Sequence, residues 1–306
     1  MTDELPDGVV RDHPLARLTT IRTGGSAELF ARPGTVAELE ALLRWAADAQ
    51  LEVGVVGSGS NLLVADEGVR GLVLKLDRQL SQIEQDGARL DCGGGARLPA
   101  VSAAAARLGL SGIEFGVNIP GTVGGAVRMN ANAYGGELAG ALEWVDVVSA
   151  AGTARRAPSE FAFAYRRSNL RAGEIVARAR FALSAASPDE VKATLADMRR
   201  RRREAQPSGI KTFGSTFKNP SDAAAEGRSA GRLLDAAGCR GLRIGGAGFS
   251  EKHANFVENH GSATTREVIE VMAEGRRRVK QRFDIELEPE VQSLGPVPIP
   301  AKWRHR

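Results

Sequence analysis

The stretch from Ile119 to Glu137, IPGTVGGAVRMNANAYGGE, constrains this chain more than any other. It carries glycine at 121, 124, 125, 135 and 136, a proline at 120, and asparagines at 130 and 132, with Asn118 just before it. For most of its length it shows neither helical nor strand periodicity, so its backbone must be held by something else. Closely spaced glycines let main-chain N–H groups approach a ligand that side chains would block. An irregular segment longer than about 12–15 residues inside a compact domain is usually functional.

The remaining sequence narrows what that ligand is. With 306 residues, the chain is long enough for one large or two ordinary domains. Its 42% hydrophobic and 25% charged residues are those of a soluble globular protein, and no apolar run approaches the roughly 18 residues of a membrane span. The opening MTDELPDGVV is acidic and lacks a basic segment followed by an apolar one, which argues against an export signal. Cys92 and Cys239 are too far apart for a metal-ligand motif and imply no disulfide. His13, His253, His260 and His305 form no zinc-binding pattern, so no metal is expected. The net charge of +4 is weak support for polyanion binding and suits a small phosphorylated ligand at least as well.

Local patterns place the elements. Thr35 and Glu38 have capping-box spacing, and Leu39, Leu42, Leu43 and Ala46 follow at helical intervals, predicting a helix over 36–49. Val53–Val56 reads as a buried strand running into the turn Gly57-Ser58-Gly59-Ser60-Asn61-Leu62-Leu63, with Val64–Gly68 a loop. Strands are expected at Leu72–Leu76, Gln82–Gln85, Ala88–Cys92, Glu143–Ser149, Thr153–Arg156 and Glu174–Leu183, and helices near Pro99–Leu108 and, briefly, Ser159–Ala164. Composition shifts at Ser184–Pro188, where a second capping box opens a helix ending in five arginines, Arg199–Arg203. A domain boundary near residue 185 follows, giving regions 1–185 and 186–295 and a loose tail at 296–306. The second region should hold helices near Ala230–Ala237 and over Thr265–Phe283, the latter capped by Thr264 and Glu267, and a last strand at Ile285–Val291.

Several clusters carry candidate chemistry. Gly57–Leu63 follows a strand but has Leu62 where a Rossmann turn needs its third glycine, and no helix is expected directly after it. No GxxxxGK[ST] phosphate loop occurs. The two glycine-rich stretches, each beside a strand and with little charge of either sign, point to a flavin or nicotinamide dinucleotide held mainly by backbone amides. In Tyr165-Arg166-Arg167-Ser168 an arginine can fix a carboxylate or phosphate, though two solvated arginines read equally well. Gly214-Ser215-Thr216-Phe217-Lys218-Asn219-Pro220 gathers hydroxyls, an ammonium and an amide; without a neighbouring histidine, Ser215 reads as a proton donor or a plain turn residue, not a hydrolytic nucleophile. Leu287-Glu288-Pro289-Glu290-Val291 puts two carboxylates on one face, either of them an acid or surface charge. The arginine run spreads around its helix with no interleaved aromatics, so a solvated helix end is expected over nucleic-acid binding.

Taken in order, VGSGSNLLVAD, GIEFGVNIPGTVGGAVRMNANAYGGE, YRRS, GSTFKNP and LEPEV resemble the UDP-N-acetylenolpyruvoylglucosamine reductases, in their shorter form, from about Arg22 to Val291. The resemblance implies an α+β fold: an FAD-binding domain of the vanillyl-alcohol-oxidase (PCMH) type plus a smaller C-terminal α+β substrate domain. It implies non-covalent FAD, NADPH as co-substrate and a UDP-sugar substrate in peptidoglycan precursor synthesis. It also implies a cytoplasmic monomer without nucleic-acid or membrane partners. By the same resemblance, Ser215 donates the proton, and Arg166 and Glu290 complete the catalytic set. Flavin contacts fall on Arg22, Gly57, Ser58, Gly59, Ser60, Asn61 and Leu62, and on Ile119, Pro120, Gly121, Thr122, Gly124, Gly125 and Ala126. Tyr165, Lys218 and Asn219 fall on the substrate side, and whether Asn130 or Asn132 faces substrate or cofactor is left open by the sequence. Gln292 stands where the family commonly has a basic residue. The nearest alternative is a sugar or alcohol oxidase of the same fold, but such enzymes often tether flavin through His or Cys, absent from both glycine stretches.

Overall fold

The computed structural model describes residues 5–207, 209–300 and 303. Residues 1–4 of the acidic opening, and 301, 302 and 304–306 of the expected tail, lie outside them. The chain divides into two compact units, each assembled from separate segments. The first takes the chain to Asp12, Glu28–Ser58 and Arg70–Arg202; the second takes His13–Ala27, Gly59–Val69 and everything from Arg203 on.

The first unit is built on a five-stranded antiparallel sheet. In spatial order its strands are Gly152–Arg156, Leu142–Ser149, Ile175–Ala182, Arg89–Gly93 and Ile83–Asp86. Alternation decides its two faces. Leu90, Cys92, Val145, Val147, Ala179 and Phe181 point into a core closed by helix Leu98–Arg107, through Leu98, Val101 and Ala105. On the other face the strands carry charges that pair across the ladder, Arg155 with Asp146 and Arg180 with Asp91. Both guanidinium groups also lie over the ring of Trp144. A second core forms where helix Val36–Asp48 lays Leu39, Leu42, Leu43 and Ala46 beside Leu72 and Leu74. Thr35 caps that helix by accepting the Glu38 N–H, worth about 1 kcal/mol.

The second unit holds a four-stranded sheet in the order Thr212–Ser215, Phe256–Asn259, Ala247–Phe249 and Arg243–Ile244. Helices Ala230–Ala236 and Thr265–Phe283 contribute Leu233, Leu234, Val268, Val271, Met272 and Val279 to its core. The long helix starts at the expected capping box, with Thr264 and Glu267 bonded reciprocally. Asp66 adds to it: its carboxylate accepts the N–H groups of Thr265 and Arg266 at 2.8 and 2.9 Å, a negative charge at the positive end of the helix dipole.

Five expectations change. The unit boundary falls between 202 and 203 because Val191 and Leu195 of helix Pro188–Ala205 pack on Ala106 and Val117 of the first unit. Ile285–Val291 is not a regular strand. Pro289, with no N–H to give, makes only an isolated bridge to Phe217, and the last strand is Gln292–Leu294, parallel to Leu62–Val64 where a turn and loop were expected. The described part of the tail, 296–300 and 303, is not loose: Val297, Ile299 and Trp303 pack on the core, with Arg276 over the Trp303 ring at 4.9 Å. The arginine run is not uniformly solvated, since Arg202 is half-buried. Finally, the glycine stretch is not irregular throughout. It contains a helix, Val123–Met129, and a tight hairpin of Asn132–Ala133 with Gly136–Glu137.

Both cysteines are buried, Cys92 in the core of the first unit and Cys239 in that of the second. Among the described residues no helix is long and apolar enough to cross a membrane, and no group of His, Cys, Asp or Glu is placed to hold a metal.

Candidate active site

In the first unit the glycine helix is fixed by main chain on main chain. Thr122 caps it, its Oγ1 accepting the Gly125 N–H, while the Val123 and Gly124 N–H groups donate to the Ala96 and Gly94 carbonyls. A Cβ at Gly124 would sit 3.1 Å from the Gly94 oxygen, and one at Gly94 only 1.9 Å from the Val176 oxygen. Glycine is therefore required for the helix to lie this close to the sheet. Gly125, by contrast, is exposed, and a Cβ there would meet only Thr122 Oγ1 at 3.5 Å.

The two glycine-rich stretches meet. Gly57 lies against Thr122 so closely that a Cβ would be 2.6 Å from its Oγ1. The surroundings are less neutral than the sequence implied: Lys75 Nζ donates to the Gly57 carbonyl at 2.5 Å, and Arg97 pairs by main chain with Thr122.

Tyr165 and Arg166 form the tip of a turn closed by reciprocal bonds between Ala164 and Arg167, with Arg166 in the left-handed region at φ 56. Three contacts stitch this turn to the end of the glycine stretch. Ser168 Oγ donates to the Arg128 carbonyl, Asn130 Nδ2 to the Ala164 carbonyl, and Arg166 Nη1 to Asn132 Oδ1 at 3.1 Å. The open choice between the two asparagines is thereby narrowed. Asn130 is 1% exposed, caps the helix in the left-handed region and spends its amide on Glu137, Ala164 and Ala139. Asn132 is the one at the arginine. Arg166 also lies over the Tyr165 ring at 5.1 Å. One residue of the arginine run joins this region: Arg202 Nη1 donates to the Asn118 carbonyl at 2.5 Å, and Asn118 Nδ2 donates to the Tyr134 hydroxyl and the Met198 carbonyl, both at 2.8 Å. Burial holds the Arg202 guanidinium below its usual pKa.

In the second unit Ser215 ends its strand after a register shift. The Glu290 N–H donates to the Thr216 carbonyl and the Lys218 N–H to the Glu288 carbonyl, both at 2.9 Å, so GSTFKNP and LEPEV run side by side. Of the two glutamates, Glu288 forms an ion pair with Lys218 at 2.6 Å. Asn255, which no motif marked, clamps this segment. Its Oδ1 accepts the Phe217 N–H and its Nδ2 donates to the Phe217 carbonyl, both at 2.9 Å, while its own carbonyl takes the Thr216 N–H. Asn219 Oδ1 accepts the Ala230 N–H, so it serves the start of a helix as well as any ligand.

The later half of the glycine–serine turn belongs to this unit. Gly59 accepts from the Thr20 N–H, and Asn61 Nδ2 donates to the Glu290 carbonyl, which also takes Gln292 Nε2. Arg22, also in the second unit, is left-handed at φ 65; its N–H donates to Thr19 Oγ1 and its guanidinium to the Arg17 carbonyl. Gly57, Ser58, the 119–126 segment, Tyr165 and Arg166 thus belong to the first unit, and Arg22, Gly59–Leu62, Ser215, Lys218, Asn219 and Glu290 to the second.

Residues 27–157 match the family model of an FAD binding domain, and residues 206–294 that of the UDP-N-acetylenolpyruvoylglucosamine reductase C-terminal domain. That pairing on this α+β framework defines an FAD-binding oxidoreductase of two parts. Relatives agree along the whole length. A UDP-N-acetylenolpyruvoylglucosamine reductase from an Anaeromyxobacter species is 43% identical, over 94% of this chain and 89% of its own. One from Novosphingobium aromaticivorans is 42% identical, over 96% and 99%. The crystal structure of the reductase (MurB) from Thermus caldophilus superposes with a TM-score of 0.80 at 38% identity, over 94% of this chain and 98% of that one. The chain belongs to the UDP-N-acetylenolpyruvoylglucosamine reductase (MurB) family.

The residues present fit an FAD. Gly121, half-buried, and Gly125, exposed, leave main chain open to a flat ring, and the cation at Lys75 stands beside the turn suited to a diphosphate.

Proposed function

We propose that this protein is an NADPH-dependent flavoenzyme that reduces UDP-N-acetylenolpyruvoylglucosamine to UDP-N-acetylmuramate, acting as a cytoplasmic monomer in peptidoglycan precursor synthesis. FAD held by the Gly57–Leu62 and Ile119–Ala126 segments would supply the redox chemistry, hydride transfer from NADPH to the methylene carbon of the enolpyruvyl ether. The chain's residues do the rest. Arg166, held by Asn132, opposes the negative charge that develops on the substrate carboxylate. Glu290, acting as a carboxylic acid, donates a hydrogen bond to the same charge. Ser215 gives its hydroxyl proton to the carbon beside that carboxylate. Lys218 meets the substrate's diphosphate in competition with Glu288, with Tyr165 and Asn219 completing the substrate side.

Supporting this reading, beyond family membership, is the pairing of Thr216–Phe217 with Pro289–Glu290. It sets the proton donor and the carboxylic acid on neighbouring segments of one unit. The test is Ser215→Ala followed by stopped flow. Reduction of bound FAD by NADPH should proceed as in the wild type, while flavin reoxidation by the enolpyruvyl substrate slows roughly 10³-fold. Equal slowing of both steps would remove Ser215 from the proton-donor role.

A further inference from the structure

The Gly57–Ser58 peptide is held from one side by a lysine that no motif marked. Lys75 directly follows strand Val69–Leu74, which pairs in parallel with Val53–Val55, and this puts its side chain next to the turn that the shorter strand feeds. Its ammonium donates to the Gly57 carbonyl at 2.5 Å. The peptide is trans, so its C=O and N–H point in opposite directions. Fixing the Gly57 oxygen on Lys75 therefore turns the Ser58 N–H away from the lysine, to the opposite side of the turn. A cation on the carbonyl oxygen also polarises the peptide and makes that N–H a stronger donor.

The charge around this contact is one-sided. Lys75 donates its own N–H to the Ala31 carbonyl, which brings it beside Arg32, and Arg97 pairs with Thr122 on the other flank of Gly57. A carboxylate close by, Asp77, already accepts the Arg78 N–H at 2.8 Å. Burial, and then Arg32, hold the Lys75 ammonium below its usual pKa. A half-buried cation with guanidinium neighbours is costly to keep charged unless an anion offsets it.

We propose that Lys75 is a positioning residue of the cofactor site: it sets and polarises the Gly57–Ser58 peptide so that the Ser58 N–H receives a diphosphate, whose negative charge offsets the Lys75, Arg32 and Arg97 cluster. The proposal rests on the FAD reading above and adds to it a residue and the part of the cofactor it serves.

The test uses Lys75→Met and Lys75→Arg in the full chain stripped of flavin, with FAD binding followed by quenching of flavin fluorescence at several salt concentrations. Loss of a charge-assisted hydrogen bond predicts about 10- to 100-fold weaker FAD binding for Lys75→Met. It also predicts a shallower dependence of Kd on salt than the wild type. Lys75→Arg should recover most of the affinity and the full salt dependence. Unchanged affinity in Lys75→Met overturns the proposal. So does weaker binding with an unchanged salt dependence, which marks a merely structural role. Failure of the wild type to bind FAD overturns the FAD reading itself.

Discussion

Around Gly94 and Gly124, main chain meets main chain, and the residues that decide the geometry are those with nothing beyond the α-carbon. Around Ser215, main chain meets side chain. There the Asn255 amide mimics a neighbouring strand for Phe217, and Asp66 caps the long helix. The first arrangement has little tolerance, because backbone cannot rotate out of the way as a side chain can. The second is adjustable but depends on single polar groups, each of which leaves buried donors and acceptors behind when removed. A region built to admit a large flat cofactor favours the first; a region that must aim one hydroxyl favours the second.

Glycine substitutions test this contrast most severely. Gly94→Ala would set a Cβ 1.9 Å from the Val176 oxygen, and Gly59→Ala one 2.1 Å from the Leu18 oxygen at a φ of +63. Each should cost about 3 kcal/mol or more and leave little folded protein, as circular dichroism would show. Gly125→Ala has the opposite expected sign. In its exposed helical position the alanine should stabilise the flavin-free protein by about 0.5–1 kcal/mol in urea unfolding, yet weaken FAD binding. A variant that loses stability, or binds FAD as before, would break the distinction between packing glycines and cofactor-facing ones.

Next in size is Asn255→Ala, which strands the Phe217 N–H and carbonyl in a buried site and should cost about 2–4 kcal/mol in urea. Asn132→Ala should leave the melting temperature unchanged and slow flavin reoxidation by roughly 10-fold, through loss of one hydrogen bond on Arg166. An equal loss of stability would make Asn132 a fold residue like Asn130. The smallest effect concerns Glu274, whose carboxyl the Arg277 and Arg278 guanidinium groups hold down at about 2. Because its folded pKa is depressed, the stabilisation is present above the unfolded value of 4.5 and is lost as pH falls toward 2. Glu274→Gln should flatten that acid limb by roughly 0.5 kcal/mol or less, since the pair is largely solvated and screened.

Elements with both a cap and an apolar stripe were legible in the sequence. The helix after Thr35 and the one after Thr264 start where their capping residues stand. The glycine helix was not, because glycine suppresses the very periodicity by which helices are recognised, and its stabilising bonds run to Ala96 and Gly94. The unit boundaries were not legible either. They depend on pairing Leu62–Val64 with Gln292–Leu294, a contact between distant segments. In the site, Ser215, Arg166 and Glu290 were named through resemblance to a family. That Lys218 pairs with Glu288 of LEPEV needed coordinates. Lys75 and Asn255 are lone polar residues in ordinary surroundings, and nothing local distinguishes them from surface positions.

The two cysteines acquire a use from where they lie. Burial pushes the Cys92 thiol up to about 12 and the Cys239 thiol up to about 11, so neither is an appreciable nucleophile at neutral pH while its core is closed. There is one in each compact unit. Alkylation kinetics followed by peptide mass spectrometry would therefore time the opening of the two units separately in the unmodified protein. Two equal rates would mean the units come apart as one cooperative body, and two different rates would order them.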